Sequence, residues 1–293
     1  MPSAKITIPL NFSFQQTLSF LQRSPRELLH RVDGHSVWKA LRLGEKRLLI
    51  VVSQSGDYLH VSFAGATPSK VEALQVKNYI SEWFDLETDL RPFYAMARKD
   101  ELLRALVKKY HGYRIVGQPD LFESLVWAVL GQQINLAFAY TLKQRFVEGW
   151  GEKISYGGYD HFLFPTPQQV AQLTDADLLP LQFSRQKSKY TVNIAEAFAS
   201  GAVSKEKLQH LSLVEAKEEL MKIKGVGNWT ANYALMKTFR YPDAFPLEDA
   251  GVHNAIKNLM GLNEKPTLDK VKRVFKKYKG WEAYATLYLW KSL

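Results

Sequence analysis

Asp249 is the residue whose placement most suggests chemistry. It follows a loop bounded by Pro242 and Pro246 and opens a helical pattern that runs to Gly261. The positive end of a helix dipole favours an ionised carboxylate. Such an anion can stabilise positive charge developing on a nearby carbon, and it can orient or deprotonate a water. A plain helix N-cap is the competing use of the same position. Glu248 beside it points elsewhere on a helix and reads as a structural acid. Upstream, Gly225-Val226-Gly227 separates two helical patterns. Leu213, Ala216, Leu220 and Ile223 keep helical spacing before it, and residues 229–239 continue after it. Two glycines permit a tight hairpin with positive φ, and Asn228 can cap the second helix. Free backbone N–H groups at such a hairpin and helix start make a seat for phosphate. Trp229 and Tyr233 share one helix face. Aromatic faces attract cations, although an aromatic pair at this spacing is more often ordinary core.

Around these residues the chain divides into two patterns. Residues 5–10 read as a first strand and 14–22 as a short helix broken by Ser24-Pro25. Strand-like runs follow at 29–32, 37–43, 48–52 and 58–63, with turn signals at 33–34, 44–45 and 55–57. Short strands at such spacing predict one antiparallel sheet, covered on one face by a helix over 69–84. From Asp89 onward the pattern is helical: 99–109, 120–132, 136–150, 185–200, 267–279 and 281–290, with 151–158 read as loop. Thr166-Pro167 starts another helix, with proline in its first turn. The expected fold is therefore α+β. A small N-terminal antiparallel sheet domain with helices, residues 1–88, precedes an all-α region, residues 89–293.

Composition narrows the partners. The 293-residue chain is long enough for a large core and about two domains. Lys and Arg number 39 against 29 Asp and Glu, a net charge of +10 that favours a polyanion, nucleic acid before membrane. Cysteine is absent, which excludes disulfides, thiolate zinc sites and iron–sulfur clusters. No run approaches the ~18 apolar residues of a membrane helix, and no signal peptide opens the chain, so cytoplasmic residence is the expectation. The seven His show no ligand pattern.

The string Gly-Val-Gly-Asn-Trp-Thr-Ala-Asn-Tyr at 225–233, the Pro-bounded loop and the single aspartate resemble the helix-hairpin-helix (HhH-GPD) superfamily of base-excision DNA glycosylases. The match is closest to the alkylbase branch, the bacterial DNA-3-methyladenine glycosylase II type. It extends from about Phe84 to the C-terminus and includes Leu130-Gly131-Gln132-Gln133-Ile134 and the closing segment 281–290. The resemblance implies hydrolysis of the N-glycosidic bond of alkylated purines flipped from double-stranded DNA, with Asp249 catalytic. It places Trp229, Tyr233 and Trp290 around the base. An alkylated purine is cationic and already a good leaving group, so aromatic walls suit it and no general acid is required. Bifunctional relatives carry a lysine where Trp229 stands, and an indole forms no Schiff base. A monofunctional enzyme that leaves the strand uncut is therefore implied.

Gly225, Val226 and Gly227 would grip the strand through backbone amides. The carbonyls of Met221, Ile223 and Gly225 match those that hold a monovalent cation, Na or K, in related hairpins; no other cofactor is implied. Gln133 matches the residue that enters the duplex where the base leaves, with helix capping as its alternative. His253 reads as structural or solvent-facing, with DNA contact the lesser alternative. The lysine-rich helix at 267–279 reads as a solvated face rather than a phosphate surface. Ala250-Gly251 stands where larger residues occur in the family, which leaves the pocket's size open. A monomer without membrane contact is expected. The competing functions are an oxidised-base glycosylase of the same superfamily and a non-catalytic helix-hairpin-helix DNA-binding module. Asp249 together with the aromatic set argues against the last.

Overall fold

The computed structural model describes residues 3–293. Five strands form one antiparallel sheet in the order β1-β5-β4-β3-β2: β1 Ser3–Thr7, β2 Arg31–Asp33, β3 Ser36–Leu43, β4 Lys46–Ser55 and β5 Tyr58–Ala64. The strands reverse at the turn signals seen in the sequence. Register pairs Val37 with Val52 and Leu41 with Leu48, so apolar side chains of adjacent strands meet on one face. Helices Phe14–Leu21 and Lys70–Phe84 cover that face through Phe14, Leu18, Val76, Ile80 and Phe84. The longer helix starts at a capping box, Ser69 with Glu72, that satisfies amides its first turn leaves open.

Residues 151–158, expected as loop, belong instead to a second hairpin. β6 Glu152–Tyr156 pairs antiparallel with β7 Tyr159–Leu163. Gly157 and Gly158 take φ 60° and 81°, as a two-residue turn with both centres left-handed requires. Its exposed face is polar, with Lys153 Nζ 2.6 Å from Asp160, while Ile154 and Tyr156 alternate onto the other face; that alternation is only five residues long before the two glycines. The hairpin packs on β3. His161 stacks on Trp38 with centroids 5.6 Å apart, and Glu152 accepts from Arg42 at 3.0 Å and Arg47 at 2.5 Å.

The remaining helices enclose a second, larger core. Helix Leu121–Gly131 runs through it with Leu125, Val126, Val129 and Leu130 buried, and helix Glu282–Trp290 buries Ala283 through Leu289. The helix expected over 99–109 shortens to Arg104–Lys109, because Asp100 Oδ1 accepts from the amides of Leu102 and Leu103 at 3.0 Å and holds that stretch in a turn. The two cores are sewn together by the segment around residues 113–118. The Gly117 amide donates to Trp83 O at 2.7 Å and the Gln118 amide to Lys237 O at 2.8 Å. A Cβ on Gly117 would lie 2.8 Å from Glu82 O and 2.9 Å from Lys237 O, so only glycine lets these backbones approach. Buried Arg114 completes the seam by donating to the carbonyls of Asp85 and Thr88. No helix among the described residues is long and apolar enough to cross a membrane.

Candidate active site

The hairpin joins helix Leu213–Met221 to helix Asn228–Thr238. The sequence led us to expect positive φ at both glycines. The structure gives it to Gly225 alone, at 106°; a Cβ there would also sit 2.3 Å from Cγ of Tyr190. Gly227 is extended, φ −91° and ψ −178°, with open space where a Cβ would go. It is the N-cap of the second helix and offers no side chain, so the amides of that helix start stay open. Asn228 does not cap either. Its Nδ2 donates to both carboxylate oxygens of Glu248, at 2.9 and 3.1 Å, which ties the hairpin to the loop before Asp249. Val226 is buried beneath the hairpin.

Asp249 is the N-cap of helix Ala250–Leu259, its Oδ1 accepting from the Val252 amide at 2.9 Å. Two indoles also reach it. Trp290 Nε1 donates to Oδ1 at 2.8 Å and Trp229 Nε1 donates to Oδ2 at 3.1 Å. A carboxylate presents about four lone-pair sites. Two on Oδ1 and one on Oδ2 are filled, so the remaining acceptor site is on Oδ2. Capping and chemistry are thus compatible uses of one side chain. Gly251 makes the arrangement fit. A Cβ there would lie 2.9 Å from Asp249 Oδ1 and 3.0 Å from Trp290 Cδ1. The space a larger residue would fill is taken by the Trp290 indole, so the small residue at 251 does not by itself enlarge the pocket.

The aromatic set meets around this carboxylate. Trp229 and Tyr233 stack at 5.4 Å, and Trp290 lies 6.3 Å from Tyr233. Tyr233 OH accepts from Trp127 Nε1 at 2.9 Å, and Trp127 in turn packs on Tyr140 at 4.8 Å. Burial pushes the Tyr233 phenol up to about 12, so it stays protonated at neutral pH. Trp127 and Tyr140 were missed as site residues. Trp127 reads in the sequence as one more apolar residue of a core helix, and nothing local to Tyr140 marks it.

Gln133 is exposed at φ 57° on the loop between helices Leu121–Gly131 and Leu136–Trp150. It caps neither: Gln132 is the C-cap of the first and Asn135 the N-cap of the second. Buried Lys187 donates to Val129 O, Leu130 O and Gln132 O at 2.8, 2.9 and 2.7 Å and so closes the helix end. Gln132 Nε2 reaches Gly225 O at 3.2 Å and Thr230 Oγ1 at 2.9 Å, joining this loop to the hairpin.

His253 is a tether, its ring nitrogens 3.0 Å from Leu247 O and Pro266 O. On helix Leu268–Phe275 and the turn after it, Val271, Phe275 and Tyr278 are buried, while Lys272, Arg273, Lys276 and Lys279 are exposed. Among the described residues no group of three or more His, Asp or Glu could hold a metal. Of the three hairpin carbonyls, Ile223 O accepts from the Val226 amide at 3.0 Å and Gly225 O from Gln132. Each keeps a second lone pair.

Residues 126–280 match the family described as HhH-GPD superfamily base excision DNA repair protein, and residues 5–125 match the N-terminal domain of 8-oxoguanine DNA glycosylase. The chain is 42% identical to a DNA-3-methyladenine glycosylase of Bacillus subtilis, over 98% of this chain and 96% of that protein. The structure superposes on a 3-methyladenine DNA glycosylase from Archaeoglobus fulgidus with a TM-score of 0.86 at 22% identity, covering 98% and 97% of the two chains. It also superposes on the 8-oxoguanine glycosylase/lyase of Clostridium acetobutylicum, with a TM-score of 0.77 at 22% identity over 100% and 97%. The fold therefore accommodates more than one base specificity.

Proposed function

Because the chain belongs to the HhH-GPD superfamily of base excision DNA repair proteins, we propose that it is a DNA-3-methyladenine glycosylase that releases alkylated purines from duplex DNA. The observation that carries the reading is the half-buried Asp249 carboxylate held by two indoles beside a cluster of aromatic rings, next to a hairpin with open amides. The near-full-length kinship with a glycosylase of that name supports the substrate class.

The chemistry follows from the parts. The amides of Gly225 and Gly227 bind a phosphate and carry no base information, while the Val226 amide, spent on Ile223 O, holds the turn that presents them. Carbonyls of Met221, Ile223 and Gly225 suit a weakly held monovalent cation beside that phosphate, since they are neutral oxygens with lone pairs to spare. Gln133, projecting from a braced loop, fills the gap left by the flipped base. In the chamber the cationic base lies against Trp229, Tyr233 and Trp290, whose faces attract positive charge. As the glycosidic bond stretches, charge moves onto the sugar. The free acceptor site on Asp249 Oδ2 stabilises it and orients the attacking water. With an indole at position 229 there is no amine to attack the sugar, so the strand stays whole.

The test is base release from randomly methylated duplex DNA, with the freed bases identified by mass. Methylated purines should appear, the strand should break only after alkali or heat, and borohydride should trap no adduct. Absence of any released base would sink the reading, and a borohydride-trapped complex would sink its monofunctional part.

A further inference from the structure

The cavity at the seam between the two cores carries two sets of charges with different balance. About 50 Å³ of space opens there, between Lys39, Tyr79 and Trp83 of the sheet domain and Trp127, Lys143 and Lys237 of the helical region. One water needs about 10–15 Å³ of such space, so the cavity has room for an ion of that size and a few waters. On one side the charges cancel. Lys143 Nζ lies 2.9 Å from Glu27 and 3.5 Å from Glu123. Both carboxylates also act on the ammonium of Lys39, which donates to Leu29 O at 3.1 Å, and exposed Asp120 adds a weaker pull. The two lysines there face at least as many acids. His30, whose ring lies 2.9 Å from Leu21 O, adds no charge at neutral pH, because burial pushes it down.

The other side has no such balance. Lys237, on helix Asn228–Thr238, is only 2% exposed, and its Nζ donates to Val116 O. The charged neighbour it feels is Arg23, another cation. Both lie against the Phe20 ring, Lys237 Nζ at 4.9 Å and the Arg23 guanidinium at 3.9 Å from its centroid. Arg23 Nε donates to Tyr140 OH, and among the described residues neither cation forms an ion pair. An ammonium has three N–H donors and a guanidinium five, with no acceptor on either. After these bonds two of the first and four of the second remain. Burial, with the Arg23 charge beside it, pushes the Lys237 ammonium well below its usual range. A water accepts such N–H bonds, but only an anion also cancels the charge.

We propose that the Arg23–Lys237 end of this cavity is a binding site for a small inorganic monovalent anion of the chloride class. Arg23 is exposed and gives the ion a way in; Lys237 holds it from within. The bound ion joins the two domains, because Phe20 and Arg23 come from the sheet side and Tyr140 and Lys237 from the helical side of the seam at Gly117 and Gln118. Its contribution is to stability, since a ligand that binds only the folded chain raises the unfolding temperature with its concentration. Neither Asp249 nor the indoles on it line the cavity, so the site stands whether or not base release does.

The experiment is thermal unfolding without DNA in sodium chloride and in sodium gluconate at equal ionic strength, gluconate being too bulky for the cavity. Wild type should unfold at least about 2 °C higher in chloride, the shift saturating as chloride rises. Lys237→Met keeps most of the stem and removes the charge, so the difference between the two salts should vanish. Arg23→Ala, at an exposed position, should reduce it, and supplies the measurement should Lys237→Met fail to fold. Bromide, the heavier member of the same class, should give an anomalous diffraction peak between Arg23 and Lys237 in crystals of the wild type. Equal unfolding temperatures in the two salts, a chloride effect undiminished in the folded variants, or crystals with no bromide peak in the cavity each overturn the site. A bromide peak without any chloride effect on unfolding marks an adventitious ion only and overturns it as well.

Discussion

The hairpin and the chamber lie at one end of the same helix, Asn228–Thr238, and are built in opposite ways. The hairpin is a run of consecutive residues that presents backbone, exposed at Gly227 and dependent on one conformationally special glycine, Gly225. The chamber is assembled from side chains that are distant in sequence: Trp127, Tyr140, Trp229, Tyr233, Asp249 and Trp290. Backbone amides grip phosphate and are indifferent to the base, whereas indole faces and a carboxylate respond to charge on the base and sugar. Changes in the first region should weaken binding to all DNA; changes in the second should slow release while duplex binding persists.

Gly251→Ala should give the largest kinetic effect short of removing the carboxylate. The added Cβ displaces Asp249 or Trp290, and a misplacement of about 1 Å can cost about 10²-fold in rate. Trp290→Phe keeps an aromatic wall but loses the N–H that holds Oδ1, so release should fall about tenfold. Single-turnover rates measured beside duplex affinities decide this: affinity should change less than about threefold in either variant. A loss of affinity matching the loss of rate would dissolve the distinction between the regions.

Gly225→Ala should act on the other side of the comparison. It forces a Cβ into left-handed backbone and against Tyr190, so stability should drop by about 1–3 kcal/mol. Affinity should fall alike for damaged and undamaged duplex. Thermal unfolding and a salt titration on matched duplexes measure both, and lesion-specific weakening would contradict the assignment. Gly227→Ala should be the mildest change. Its Cβ enters open space at an ordinary φ, so stability should stay within about 0.5 kcal/mol of wild type in the same unfolding measurement.

The same contrast explains what the sequence made legible. The hairpin, the aspartate and the sheet with its turns are local patterns, and their boundaries came out within a few residues. The φ of Gly227 did not, because two glycines flanking one valine do not say which of them carries the reversal. The β6–β7 hairpin was overlooked because its strands are five residues each and glycines at 151, 157 and 158 mark the stretch as loop, although Ile154 and Tyr156 alternate as a strand does. Trp127 and Tyr140 were invisible as neighbours of Tyr233 for a different reason. Their placement arises when helices Leu121–Gly131, Leu136–Trp150 and Asn228–Thr238 pack together, and no local spacing records that. The indole N–H groups on Asp249 are similar: Trp229 and Trp290 were read as walls, whereas both bond the carboxylate, the Trp290 bond in the room that Gly251 leaves.

The central claim is that one carboxylate performs base release while other parts of the protein hold the DNA. Asp249→Asn tests it most directly, because the amide is nearly isosteric. Single-turnover release from methylated duplex and duplex affinity should be measured on the same preparation. Release should fall at least about 10²–10³-fold, with affinity within a few-fold of wild type or slightly tighter. Release near the wild-type rate would contradict it.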